Sequence, residues 1–406
     1  MTEQTDTPVL RFKSFNDKWS SSTIGALGDF YYGKSAPKWS ITEDVGIPCI
    51  RYGELYTKFN NVVNEIYSYT SMPKEKLRFS KGGEILIPRV GEDPLDFAKC
   101  VYLPQKDIAI GEMISVYNTK ENPLFLTYYF NTKMKYEFAK RVEGASVSNL
   151  YYSYLEDIKL KIPDIREQEK LGEFFSKLDQ QIELEEKKLE LLEQQKKGYM
   201  QKIFSQELRF KDKKDNYYSD WKNCQLKDLT YYKNGKGYEK VATTNGKYNI
   251  INLNSIGIKG QLKDSGKYTD FEDDTLLKND LIMILSDVAK GNLIGMTAII
   301  DEDNKYLLNQ RIALLRIKNS LITNAYFLYL YINFNRKYFI NMSAGMSQLN
   351  INKKTVEDFP VNLPNIEEQN KIAILFKNYG DTIKKQASKV KLLKQRKQGL
   401  LQKMFV

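Results

Sequence analysis

Two stretches of the chain carry apolar residues at helical spacing over an unusual length. Leu171, Phe175, Leu178, Ile182, Leu189, Leu192, Tyr199 and Ile203 form one seam. Ile372, Phe376, Tyr379, Ile383, Val390, Leu393, Leu400 and Met404 form the other. Steps of four and three alternate once Glu185 and Lys196, and their counterparts Gln386 and Lys397, are counted as polar interruptions. This heptad rhythm predicts two coiled-coil helices of about 40 residues, each roughly 60 Å long at ~1.5 Å per residue. Each seam is preceded by Pro and then Asp164 or Asn365, with Glu167 or Glu368 three residues on. An acceptor at the N-cap with Glu at N3 reads as a capping box, and an acidic first turn complements the helix dipole. The carboxylates from Asp164 to Glu173 therefore read as a helix start and its solvated face, not as an acid–base or metal site.

Outside the seams the pattern shortens. Residues 84–90, 101–110 and 113–118 read as strands between Gly, Pro and Asp turns, and 281–287, 296–301 and 312–317 repeat that order. A helix is expected after each set, near 123–142 and 321–340.

The recurrence is systematic. At an offset of 201 residues Gly144, Ser146 and Asn149 meet Gly345, Ser347 and Asn350, and Pro163 and Glu167-Gln168 meet Pro364 and Glu368-Gln369. LLEQQKKGYMQKIF (191–204) meets LLKQRKQGLLQKMF (392–405) with eight of fourteen positions identical. Leu10-Arg11-Phe12-Lys13 returns as Leu208-Arg209-Phe210-Lys211, each followed by a lone Trp, Trp19 or Trp221. The helical ends are alike and the bodies between them have diverged, as expected of a shared scaffold carrying two different reading heads. Sequence order is body, helix, body, helix, and the last helix ends where another Leu-Arg-Phe-Lys would begin. With the bodies at opposite ends the helices would run antiparallel. Glu183, Glu185, Glu186, Glu190 and Glu193 on the first would then face Lys384, Lys385, Lys389, Lys391, Lys394 and Arg396 on the second. Gly198 and Gly399, costly inside a helix, suggest either close helix approach or a docking surface for another subunit.

Composition narrows the chemistry. The 406 residues contain no histidine, which removes Ser-His-Asp and Cys-His pairs and His-ligated zinc. Cys49, Cys100 and Cys224 form neither a disulfide framework nor a metal knuckle, and read as thiols in a reducing cytosol. No apolar run is long enough to span a bilayer, and the N-terminus has no signal-like segment. Asn122-Pro123-Leu124-Phe125 misses the second Pro of the amino-methyltransferase motif, and the Gly260 to Tyr268 stretch misses the phosphate-loop spacing and its Ser/Thr. A net charge of +11 favours a polyanionic partner. Candidate DNA contacts are Lys34, Lys38, Arg51 and Arg89 in the first body and Lys236, Lys240, Lys290 and Arg311 in the second. Ser146, Ser148 and Asn149, with Ser347 and Gln348, mark the Gly-x-Ser loops; Gln348 could read adenine, and an Arg guanine. Candidate helix-pairing residues are Leu171, Phe175, Leu178, Ile182, Leu189 and Leu192 against Ile372, Phe376, Ile383, Val390 and Leu393.

The order of a variable body, Pro-x-Ile-x-Glu-Gln, a long helix ending Gln-Lys-x-Phe, and then all of it again resembles the specificity subunit of type I restriction–modification systems. The resemblance covers the whole chain. It implies an α+β fold: two mixed α/β target recognition domains separated by a pair of long antiparallel coiled-coil helices, pseudo-twofold and circularly arranged. Target recognition domain 1 would occupy 1–160, the central helix 161–207, target recognition domain 2 208–361 and the C-terminal helix 362–406. Each body would read one half of a bipartite site on double-stranded DNA, and the helices would act as a ruler and dock two methylation subunits. The chain itself would be non-catalytic, with no cofactor or metal of its own, and cytoplasmic. S-adenosylmethionine would belong to the methylation subunits, and ATP with magnesium to the restriction–translocase subunits. The alternative from the residues is a non-enzymatic coiled-coil adaptor with two protein-binding domains.

Overall fold

A computed structural model describes residues 7–34, 36–144, 148–287, 293–345 and 348–406. They form two compact units, one reaching Lys188 and including Gln386–Val406, the other Leu189–Lys385.

In the first unit Gly28–Tyr32, Ile114–Thr119, Glu84–Pro88 and Val101–Leu103 form an antiparallel sheet in that order. A five-stranded sheet (Ile41–Thr42, Ser68–Thr70, Ile47–Ile50, Lys106–Ile110, Phe79–Lys81) contains one parallel pair, Ile47–Ile50 with Lys106–Ile110. Helix Pro123–Lys133 is capped by Asn122, whose Oδ1 accepts the Phe125 amide at 2.8 Å. It is apolar nearly all round because it packs on the sheet through Phe130 and on the long helix through Tyr128.

The second unit repeats the plan with fewer strands. Thr230–Asn234, Ile312–Ile317, Leu281–Ile284 and Thr297–Ile299 make its four-stranded sheet. Tyr268–Thr269, Tyr248–Ile251 and Tyr306–Leu308 make a three-stranded sheet, again with one parallel pair. Helix Ala325–Phe334 is capped by Asn324, whose Oδ1 accepts the Phe327 amide at 3.0 Å.

Five expected elements are each two, among them 84–90, split into Glu84–Pro88 and Val90–Gly91, and 281–287, split into Leu281–Ile284 and Ser286–Asp287. The stretch 101–110 is broken at Pro104, which has no amide to give a ladder. The helix expected over 123–142 divides at Met134, and that over 321–340 at Asn335, where the backbone leaves helical geometry. Both bodies thus turn at the same point.

The long helices are Ile165–Phe204 and Ile366–Met404. In the first unit their segments run antiparallel: Phe175 meets Phe405 at 5.5 Å, Asp179 pairs with Lys397, and Glu186 with Lys394 at 2.5 Å. In the second unit Tyr199 meets Tyr379 at 5.8 Å, and Phe204 meets Phe376 at 6.5 Å. The polar interruption of the seam is internally satisfied, because the Gln386 amide donates to the Glu185 carbonyl and carboxylate at 2.8 and 2.7 Å. Lys389 reaches the same carboxylate. Glu193, however, pairs with Lys259 of the second body at 2.7 Å rather than with a helix lysine. Leu171 and Phe175, with Ile372 and Phe376, sit in the cores of the bodies as well as on the seam. Ile182 and Val390 are buried; Leu178, Leu189, Leu192, Ile383 and Leu393 are half-buried.

The helix starts differ from expectation in an informative way. Asp164 Oδ1 does accept the amides of Arg166 and Glu167 at 2.8 and 3.0 Å, and Asn365 the amide of Glu367 at 2.8 Å. But Glu167 and Glu368 are 0% exposed, so they are not part of a solvated face. Instead Arg11 grips Glu167 through Nε and Nη2 at 2.8 and 2.6 Å, and Arg209 grips Glu368 at 3.3 and 2.8 Å. Each hydrogen bond holds its guanidinium above the ordinary arginine range. The adjacent glutamines do the complementary job. Gln168 Oε1 accepts the amide of Asn122, and Gln369 Oε1 that of Asn324, at 3.0 and 2.8 Å. The Leu-Arg-Phe-Lys and Glu-Gln motifs are therefore two halves of one joint, fixing each body to the helix that follows it.

Candidate nucleic-acid interface

In the first unit a set of main-chain bonds gathers several strand ends. Gly33 donates to Ile114, Lys34 to Ile110, Gly111 to Ile50 and Arg89 to Met113, all at 2.8–3.0 Å. Leu150 then donates to the carbonyl of Arg89 at 2.9 Å. This brings Lys34, Arg51, Arg89 and Asn149, distant in sequence, to one end of the sheets. The crossing demands glycine, because a Cβ on Gly33 would lie 2.1 Å from the Gly111 carbonyl oxygen. The Arg89 guanidinium lies 4.6 Å from the ring of Tyr32 and 5.2 Å from that of Tyr151. Arg78 Nη1 donates to the Tyr32 carbonyl at 2.8 Å, and Lys34 Nζ to the Glu75 carbonyl at 3.2 Å. Burial pushes the Tyr32 phenol up, against the opposing pull of Arg89, so the ring stays neutral.

The second unit builds the same end from different side chains. Gly235 donates to Ile312, Lys236 to Leu308, Asn309 to Ile251, Leu285 to Arg311, and Ile351 to Leu285, at 2.8–3.1 Å. Bond for bond, Lys236 corresponds to Lys34, Asn252 to Arg51, Leu285 to Arg89 and Arg311 to Met113. Arg311 is exposed and borders a cleft of ≈ 490 Å³ with Tyr238, Glu239, Asn252 and Asn309.

The remaining candidates vary in availability. Lys38 and Lys240 are exposed and hold no ion pair among the described residues. Lys236 is tied to Asp273 at 2.5 Å, which holds its ammonium above the ordinary range. Ser148 is buried in a two-residue strand paired with Val90–Gly91, and Asn149 is half-buried beside it. The Gln348 amide donates to Ser286 Oγ. Ser146, Lys290 and Ser347 lie outside the described residues. Sequence reasoning passed over Trp39, which is 78% exposed on the turn Lys38–Ser40. Its signal was there: a Lys-Trp pair in a Pro- and Ser-containing loop. Cys49 and Cys100 are buried and Cys224 is half-buried; burial pushes the Cys49 thiol up to about 12.

The sequence profile described as the type I restriction modification DNA specificity domain matches residues 16–194 and 218–394, most of the chain and once per repeat. The chain belongs to this family. Specificity subunits are the non-catalytic members of type I restriction–modification systems. A similar specificity subunit is that of the type I restriction enzyme MjaVIII of Methanocaldococcus jannaschii, 22% identical over 70% of each chain. A putative MjaX specificity subunit of the same organism is 24% identical over 64% of this chain and 61% of its own. In fold, the crystal structure of a type I system S subunit from M. genitalium matches 98% of this chain and 99% of its own, with a TM-score of 0.65 and 17% identity. A second solved structure, described as the basis of complex assembly and conformational transition in the type I system, matches 95% and 97%, with a TM-score of 0.56 and 13% identity.

Proposed function

We propose that each unit reads one half of a bipartite DNA site through its gathered strand ends, and that the long helices set the spacing and dock two methylation subunits. The observation that carries this is the pair of strand ends, alike in five main-chain bonds and unlike in the side chains they present. Such a pair suits two unlike half-sites on a common scaffold. A helix of about 40 residues reaches ~60 Å, enough to organise centres one helical turn (~34 Å) or more apart. Lysines at the rim supply salt-dependent phosphate contacts. S-adenosylmethionine belongs to the methylation subunits, ATP and magnesium to restriction subunits, and the assembly acts in the cytoplasm.

Trp39 provides the direct test. Trp19 and Trp221 are only 3% and 8% exposed, so acrylamide quenches chiefly Trp39. Duplexes selected from a random library by the chain with its methylation subunits should share two fixed half-sites. A selected duplex should protect Trp39 from quenching, and one lacking the first half-site should not. Unaltered quenching at saturating duplex, or selection without any shared sequence, contradicts the reading and favours a protein-binding adaptor.

The docking surface has a candidate too. A Cβ at Gly198 or Gly399 would meet no atom within 4 Å, so close helix approach does not explain these glycines. Leu191 and Leu392, one heptad earlier, are exposed. Gly198→Trp and Gly399→Trp should leave the circular dichroism and urea midpoint of the isolated chain intact and abolish co-purification of the methylation subunit. Assembly undiminished in both variants would place docking elsewhere.

A further inference from the structure

We propose that Arg89 reads a guanine in the first half-site, and that the second unit has no counterpart to this contact. The inference rests on the DNA-reading function above and adds a base to it. Arg89 is fixed at its backbone on both sides, by its amide on the Met113 carbonyl and its carbonyl on the Leu150 amide. Its guanidinium lies within cation–π distance of both Tyr32 and Tyr151. It differs from Arg11, Arg141, Arg209 and Arg316, each of which is neutralised by a carboxylate. Among the described residues the Arg89 side chain has no hydrogen-bond acceptor, and its Nε is buried and unpaired.

A structural arginine would be expected to have its donors satisfied. Here two aromatic rings orient the planar group and leave the donors of its terminal nitrogens unspent, while the residue as a whole stays half-exposed. Two parallel donors held in a plane match the O6 and N7 acceptors on the major-groove edge of guanine. A phosphate needs no such orientation; the flexible, exposed Lys38 supplies that contact at less cost in order. In the second unit Leu285 takes the same two main-chain bonds and is buried, so among the described residues the side chain at that place has no donor for a base. The two half-sites must therefore be read differently at this position.

The test uses the chain assembled with its methylation subunits and duplexes carrying its selected site. One guanine of the first half-site, replaced by 7-deazaguanine, should weaken binding about tenfold or more to the unaltered protein, the discrimination lost with one bidentate contact. Arg89→Leu should bind the guanine and 7-deazaguanine duplexes equally, relax the base preference at that position, and leave the second half-site unchanged. Arg89→Lys, which keeps the charge, should relax it as well. A uniform loss of affinity with base preference intact would make Arg89 a phosphate contact and overturn the inference. So would a first half-site in which no guanine responds to 7-deaza substitution, a result read on the natural chain whatever the variants do. Absence of any sequence preference would instead overturn the DNA-reading function itself.

Discussion

Glu368→Ala is expected to destabilise the second unit by about 3–5 kcal/mol, the usual cost of removing one partner from a buried ion pair. Glu368 is fully buried and takes two hydrogen bonds from Arg209 and a third from the Trp221 indole at 3.2 Å. Alanine would strand a mostly buried guanidinium and an indole N–H together. The joint would also loosen at the residue next to Gln369, which holds the start of the helix Ala325–Phe334. Glu368→Gln keeps the shape and one acceptor, and should lose less. The equivalent Glu167→Ala should cost the first unit somewhat less than Glu368→Ala costs the second. There Arg11 is the partner and the Trp19 indole nitrogen is unpaired, so no third bond is broken. Urea unfolding, with hydrogen exchange to assign the loss to one unit, measures both. A change below about 1 kcal/mol for Glu368→Ala would mean that the joint does not hold body to helix.

Exchanging residues 208–360 for the corresponding body of another family member should change one half-site completely and leave the other untouched. The joint explains why such an exchange can work. Arg209 lies just inside the exchanged segment and Glu368 just outside it, so a donor body that carries the Leu-Arg-Phe-Lys motif and the capping Asn rebuilds both contacts. The proposed reading end lies within the segment: Lys236, Leu285 and Arg311 all go with it. Adenine-methylation sequencing of cells carrying the chimaera reads the outcome directly. Alteration of both half-sites would show that the units do not read independently.

Periodic features were legible in the sequence, and features built across long separations were not. The seam from Leu171 to Ile203 announced a helix because every position contributes to one pattern, and the helix indeed spans Ile165–Phe204. Asp164 announced its own cap, since that interaction is local. Glu167 was misread as solvated because its partner, Arg11, lies 156 residues away. Both halves of the joint were visible as repeated motifs, yet nothing in either names the other. The break at Met134 is marked by no Gly or Pro in the sequence. The proposed interface shows the same division. Lys34 and Lys236 were recognisable as cations, but their equivalence comes from main-chain bonds between strands. The setting of Arg89 between Tyr32 and Tyr151 draws on three separate segments, and exposure alone sets Trp39 apart.

The most direct measurement is long-read sequencing of adenine methylation in cells with and without this chain, the methylation subunit being present in both. The account predicts a bipartite motif, two unlike half-sites separated by unread base pairs, methylated only when the chain is present. Identical methylation in the two cells, or a motif read as one continuous block, would contradict it.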